Sequence, residues 1–336
     1  MKVSDVGERA LVELARKTFK IGPKIKVGIG DDAAAIDIDG RYLIATTDML
    51  VAGTHFPPGT TAEQMGHKAV IVNLSDLAAM GAEPLALIFS VGLPRGLDVE
   101  FVKRMIRGMD LTAGRYGTYV VGGDLDESDD ITIAGAAFGL ASKGKLLTRS
   151  GSKPGDVIAV TGQLGAASAG LKILLERLPP RGYKKLVKAQ LEPIARVREG
   201  IALAKNGVKA AIDITDSLAS NLWQVSRMSG TKLIIDREKV PVHPLTLKFA
   251  ERYRFKVDNF ALYGGEDFEL LFTVRPSSWR RVKLALGRIG TKVTAIGHVT
   301  KGRGVFVQRE GIQEKLPDRG YEHFRYRAVY ASTFQH

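Results

Sequence analysis

Apolar runs rich in β-branched residues alternate along the chain with segments of helical spacing. The strand-like runs are YLIATT (42–47), TYVVGG (118–123) and ITIAGAAF (131–138), then DVIAVTG (156–162), AAIDIT (210–215), ELLFTV (269–274) and KVTAIGHV (292–299). Between them, apolar residues at i, i+3 and i+4 predict helices over 62–80, 100–116, 166–176 and 218–228. A capping box, Thr60 with Glu63 or Thr61 with Gln64, marks the start of the first helix. The Ser/Gly/Pro-rich stretch TRSGSKPGD (148–156) breaks the pattern and predicts a domain boundary near Ser150, giving units 1–150 and 151–336. The fold class expected is mixed α/β.

Composition narrows this only slightly. The 336 residues, 45% hydrophobic and 25% charged, suit a soluble two-domain protein. No apolar run is long enough to cross a bilayer, and the start carries Asp5, Glu8 and Glu13 where a signal peptide would be apolar, so a cytoplasmic location is expected. The formal charge of +13 favours anionic partners. No zinc-finger spacing, RNP-like signature or basic recognition helix accompanies it, so nucleic acid is not an expected partner, and RGYKKLVK (181–188) reads as a charged helix face. The chain has no cysteine, which removes disulfides, thiolate metal sites and cysteine nucleophiles.

Chemistry enters with the acids. VGIGDDA (27–33) has the glycine spacing of a phosphate cradle, yet Asp31 and Asp32 would repel a pyrophosphate unless a positive species lies between. Three strand-like runs finish on a carboxylate: Asp48, Asp124 and Asp216, the last with Asp213 inside its run. Strand alternation puts Thr46 and Asp48 on one face, and likewise Asp213 and Thr215. The helical segment HKAVIVNLSDLAAMGAEP adds Asn73, Ser75 and Asp76 amid apolar residues. Asp76 alone could be a salt-bridged or capping residue. Several acids with Thr and Ser oxygens, without cysteine, instead suit a hard cation such as Mg2+ bound beside a nucleotide.

GIGDDAA, TTDMLVAGTHF, NLSDLAAMGAEP, GGD, LTRSGSKPGD, AIDITDSLASNL, YGGEDFELLFT and the late GYEHF occur in the order found in the thiamine-monophosphate kinase family, which the chain resembles from about Gly28 to Phe324. That family belongs to the aminoimidazole ribonucleotide (AIR) synthetase superfamily. The resemblance implies a two-domain AIR synthetase-like fold: an N-terminal domain forming a dimeric β-barrel and a C-terminal α/β domain. It also implies a homodimer that transfers the γ-phosphoryl of ATP directly to thiamine monophosphate, giving thiamine diphosphate in the last step of that cofactor's synthesis. By motif, Asp32, Thr46, Thr47, Asp48, Asp76, Asp124, Asp213 and Asp216 resemble the ligands of several Mg2+ ions. Tyr116, Gly123, Asp124, Arg149 and Thr215 resemble ATP contacts, and His55, Glu266 and Tyr321 contacts to thiamine phosphate. No residue is implied as a general base. Tyr116 could instead be a core aromatic, Tyr321 an anchor for the tail, and His55 a backbone ligand. The chain departs from the family pattern at Ser217, usually Gly, and at Asn221, usually Asp, while Asp31 has no assigned role. The alternatives are an ATP-dependent cyclo-ligase of the AIR synthetase type on the same scaffold and, from another class, a non-catalytic nucleotide-binding module. Two further relatives, selenophosphate synthetase and the hydrogenase-maturation carbamoyl dehydratase, usually rely on Cys or Sec and are excluded by the absence of cysteine.

Overall fold

A computed structural model describes residues 2–324. Six strands, β1 (Ile25–Val27), β2 (Ala34–Asp37), β3 (Arg41–Val51), β4 (Glu83–Leu93), β5 (Val120–Glu127) and β6 (Thr132–Ser142), form one sheet in the order β1-β2-β3-β6-β4-β5. Only β4 and β5 pair in parallel. Seven more, β7 (Val157–Thr161), β8 (Ala210–Asp213), β9 (Lys232–Asp236), β10 (Leu270–Val274), β11 (Val293–Thr300), β12 (Gly304–Arg309) and β13 (Ile312–Lys315), form the second, ordered β13-β12-β9-β11-β7-β10-β8, with β9 and β12 parallel. Each sheet is open within one protomer. The barrel expected of the N-terminal half is therefore not closed by this chain alone.

The helix Ala62–Ala79 joins the halves. Its Thr61 hydroxyl caps the Gln64 amide while the Gln64 side chain returns to the Thr61 amide, so the second of the two capping boxes is the one used. Apolar or small residues occur all round this helix, as expected for a segment with neighbours on every side. It packs on β3 and β6 of the first sheet, on β8 of the second, and on the helices Val99–Arg115 and Val197–Lys205. Leu74 and Leu77 share one continuous core with Ala211, Leu270 and Phe272 of the second sheet. Close crossings need glycine: a Cβ on Gly66 would lie 2.0 Å from the Met105 carbonyl oxygen, and one on Gly200 1.9 Å from that of Ala78.

Strand alternation sorts the first sheet. Ile44 and Leu50 of β3 are buried beneath the helix, and Ile133, Gly135, Ala137, Gly139 and Ala141 of β6 are buried beside them. The other face is uncovered in the protomer and exposes Met49, Leu85 and Ile88; the edge at β5 exposes Tyr119, Val121 and Leu125. Two strands run further than the sequence pattern indicates. β3 passes through Asp48 to Val51 and β5 through Asp124 to Glu127, so neither acid ends its strand. Polar residues do not stop a strand whose neighbours continue the ladder.

The helix crossing sets one expectation. Gly66→Ala should lower the unfolding free energy by about 1–3 kcal/mol, because the methyl group meets backbone rather than a movable side chain. Urea denaturation measures this, and an unchanged midpoint would contradict the crossing geometry.

Candidate active site

Where the two sheets meet the central helix, carboxylates from four separate segments converge. Asp32 follows the bend at Gly30, a glycine with φ +114°. Thr46 and Asp48 come from the covered face of β3, Ser75 and Asp76 from the helix, and Asp213 from the last position of β8. One oxygen each of Asp32, Asp76 and Asp213 lie within 4.8 Å of one another. The Thr46 hydroxyl donates to Asp76 Oδ2 at 2.5 Å, and the Ser75 hydroxyl to Asp213 Oδ2 at 2.5 Å. Arg149 supplies the positive charge on this chain: its Nε and Nη2 donate to Asp32 Oδ1 at 3.0 and 2.7 Å, and its Nη1 to Gln224 at 2.6 Å. The other Asp32 oxygen, Oδ2, is buried with no hydrogen-bond partner among the described residues.

One arginine cannot neutralise such a group. Burial pushes Asp213 up to about 8, with the charge of Asp32 adding to it. Asp48 and Asp216 rise to about 6, each through burial first and the Glu8 carboxylate second. Asp76 stands well above the ordinary carboxylate range through burial and the charges of Asp48, Asp213 and Asp32. Asp32 is raised by burial against the pull of Arg149. A cluster of acids held near protonation by burial and then by mutual repulsion, with one buried oxygen unpartnered and only oxygens offered as ligand atoms, fits a hard divalent cation such as Mg2+.

The remaining sequence-predicted residues fall into three groups. Asp216 lies in the turn after β8 and accepts a 3.4 Å hydrogen bond from Gln224, close to the cluster but outside the triad. Thr47 does not turn its side chain to the triad: alternation puts it on the opposite face from Thr46 and Asp48, where its hydroxyl donates to the Gly135 carbonyl at 2.8 Å. Asp124 is also not brought to the cluster within one protomer. The row Asp48, Gly135, Phe89, Gly123 crosses three strand spacings, about 14 Å, and Asp124 is exposed on the far edge strand. Gly123 packs so closely that a Cβ would lie 1.8 Å from the Phe89 carbonyl oxygen.

The Tyr116 hydroxyl accepts the Ala195 amide hydrogen at 3.0 Å, tying the end of the helix Val99–Arg115 to the second half. Thr215 accepts the Glu266 amide hydrogen through its carbonyl at 2.7 Å. His55, Glu266 and Tyr321 gather on a second side of the site. The Tyr321 amide reaches the Asp216 carbonyl at 3.4 Å, its ring stands edge-on to His323, and His323 neighbours His55 with centroids 5.4 Å apart. His55 Nδ1 accepts the Val51 amide hydrogen at 3.0 Å, and burial holds the ring down at about 4.

Two open questions from the sequence are answered. Asp31 is a turn residue that accepts the amide hydrogens of Arg149 at 2.9 Å and Asp32 at 3.1 Å, so it aims both partners of the Asp32–Arg149 pair. Ser217 has extended backbone rather than a glycine-only conformation, and its hydroxyl caps the helix Leu218–Ser229 through the Ser220 amide. Asn221 is buried in that helix with its Oδ1 unpartnered among the described residues. Sequence reading missed Lys68, whose ammonium is buried against Glu266, and Gln190, which donates to the same carboxylate. Lys68 sits in the apolar HKAVIVN run, where a lone charged residue was the available signal.

Models of the AIR synthase related protein family match residues 30–141 with its N-terminal domain and 153–310 with its C-terminal domain. The chain is 39% identical over 302 residues to the thiamine-monophosphate kinase of Pyrococcus horikoshii, covering 88% of this chain and 91% of that one. The chain belongs to the thiamine-monophosphate kinase family. Members of this family are kinases, and the protein is an enzyme. The Aquifex aeolicus thiamine-monophosphate kinase is 33% identical over 96% of this chain and all of its own length. A solved structure of AaThiL complexed with AMPPCP and TMP superposes with a TM-score of 0.87 at 33% identity, covering 96% of this chain and 99% of that one.

The acid cluster sets a pH dependence. Carboxylates raised in the folded state bind protons more tightly there than in the unfolded chain, so their contribution is present at low pH and is lost as pH rises through about 6 for Asp48 and Asp216 and about 8 for Asp213. His55, held down at about 4, acts oppositely, but only below the ordinary histidine range. Asp267, raised to about 8 by burial at the start of the helix Ala166–Leu175, adds a fall that a metal at the cluster does not reverse. Between about pH 6.5 and 8.5 the metal-free protein should lose melting temperature, and Mg2+ should restore more of it at the upper end. Equal stabilisation by Mg2+ at both ends would contradict the cluster as a cation site.

Proposed function

We propose that this enzyme is a Mg2+-dependent thiamine-monophosphate kinase that transfers the γ-phosphoryl group of ATP directly to the phosphate of thiamine monophosphate. The observation that carries this reading is the convergence of Asp32, Asp76 and Asp213 beside Arg149 in a chain similar over nearly its whole length to proteins of that name. Phosphoryl transfer asks a protein for alignment and charge neutralisation. Mg2+ held by Asp32, Asp48, Asp76, Asp213 and Asp216, with the Thr46 hydroxyl among them, would neutralise the phosphate oxygens and screen two polyanions from each other.

The chain's own groups do the rest. Arg149, fixed by Asp32, Gln224 and the Asp31 turn, presents a guanidinium at the nucleotide side. The acceptor phosphate is already anionic, so no general base is required, in keeping with a His55 ring held neutral and tied through Nδ1 to the backbone. His55, Glu266 and Tyr321 form the acceptor side, and Thr215, between Asp213 and Asp216, sits at the junction with the nucleotide. Tyr116 acts by holding the segment around Ala195.

Gly123 and Asp124 are assigned to a site completed by a second copy. The uncovered sheet face with Met49 and Ile88, and the exposed edge β5, support a homodimer in which two open sheets close together and Asp124 meets nucleotide or metal at the interface. Sedimentation equilibrium should return twice the protomer mass; a protomer mass at micromolar concentration would remove this assignment.

The decisive assay is incubation with ATP, Mg2+ and thiamine monophosphate, with products read by mass. Thiamine diphosphate and ADP are expected. ADP and phosphate formed only with a formylglycinamidine ribotide would indicate the cyclo-ligase, and ATP binding without turnover a binding module. Asp76→Asn should lower kcat by about a hundredfold or more with the fold retained, since it removes a charge the cation needs; near-normal turnover would contradict the role of Asp76.

A further inference from the structure

We propose that Lys68 is the positioning residue of the acceptor side, its ammonium locking Glu266 and the His55 turn into the arrangement that receives the acceptor. The proposal rests on the kinase reading above and extends it to a residue outside the motif assignments.

Lys68 is 3% exposed, in the middle of the helix Ala62–Ala79. A buried ammonium persists only when paired and hydrogen-bonded. This one meets both conditions across the two halves of the chain: it forms an ion pair with Glu266 Oε1 and donates to the His55 carbonyl at 3.0 Å. Glu266 in turn accepts from Gln190 Nε2 through its second oxygen. Its backbone has φ +63°, a left-handed conformation unusual outside glycine, held by the hydrogen bond its N–H donates to the Thr215 carbonyl at 2.7 Å. Four segments therefore meet around the Lys68–Glu266 pair: the central helix, the His55 turn, the helix Lys184–Leu191 and the turn after β8.

The lock has two chemical consequences. Burial pushes the Glu266 carboxyl up, but the Lys68 charge and the Lys68 and Gln190 hydrogen bonds carry it below the ordinary range, so a buried carboxylate stays ionised. Such a group is suited to a cationic ring such as the thiazolium of the acceptor. The second consequence concerns His55. Burial lowers its ring most and the Lys68 charge next; Glu266 and the Val51 backbone raise it, and His323 lowers it slightly. His55 Nδ1 lies 3.0 Å from the Val51 amide nitrogen and 3.2 Å from the Val51 carbonyl oxygen, so the backbone holds this edge of the ring and Nε2 is turned away from it. Lys68 thus favours the ionised form of one acceptor contact and the neutral form of the other.

The test uses the full-length enzyme with Lys68→Met and Lys68→Arg. Lys68→Met should raise KM for thiamine monophosphate by about tenfold or more while KM for ATP stays within about twofold, since only the acceptor side loses its geometry. Ring titration of His55 by NMR should rise by about one pH unit or more in Lys68→Met, because a positive neighbour is lost and an unbalanced carboxylate remains. Lys68→Arg keeps the charge but not the compact point donor, so His55 should stay neutral while acceptor KM rises several-fold. If Lys68→Met does not fold, Lys68→Arg decides, and wild-type acceptor KM in that variant overturns the proposal. Unchanged acceptor KM with an unmoved His55 titration in folded Lys68→Met also overturns it. A wild-type protein that makes no thiamine diphosphate would instead refute the kinase reading, with the His55 titration still reporting on Lys68.

Discussion

Repulsion among buried carboxylates is the constraint around which this protein is organised. Asp32, Asp48, Asp76 and Asp213 belong to four separate elements, yet Asp32, Asp48 and Asp213 each raise the proton affinity of another, and Asp76 is raised by all three. A stability-driven fold would disperse such charges or pair each with its own base. Here one arginine serves one oxygen of one acid, and the imbalance is left for a cation to resolve. The cluster makes sense as a site prepared for Mg2+ and phosphate, with its energetic deficit carried by the surrounding core.

The scaffold that bears this deficit is the helix Ala62–Ala79. It lies against both sheets, and its buried faces and the close crossings at Gly66 and Gly200 leave little room to shift. Beyond the capping turn and His67, its polar residues are Lys68 at the acceptor side and Asn73, Ser75 and Asp76, the last two reaching the cluster about two turns further on. One rigid rod thereby fixes the spacing between the metal-side acids and the acceptor-side ammonium. Two open sheets flank it, and the uncovered face of the first explains why the edge strand with Gly123 and Asp124 stands apart from the cluster in a single copy.

Much of this was legible where local chemistry decides. The capping box at Thr61 and Gln64, the shared face of Thr46 and Asp48, and the apolar helix with its isolated Asp76 all follow from periodicity that does not depend on distant partners. Legibility failed where tertiary context decides. Asp48 and Asp124 resembled strand ends because a polar residue closed an apolar run, but the ladders with β6 and β4 carry both strands onward. Thr47 followed its neighbours in a motif, whereas alternation alone turns its side chain away. Lys68 and Gln190 gave almost no signal, since their meaning lies in Glu266, nearly two hundred residues from one of them. The β4 strand, Glu83–Leu93, was missed because its covered and uncovered faces are both apolar, which removes the alternation that marks a half-buried strand.

Anomalous scattering from Mn2+ in crystals grown with a non-hydrolysable ATP analogue tests the central claim most directly. The account predicts at least one anomalous peak bonded to oxygens of Asp32, Asp76 and Asp213, at about 2.0–2.3 Å as a hard divalent ion requires. Mn2+ bound to the nucleotide elsewhere, with no peak at the carboxylate cluster, would contradict it.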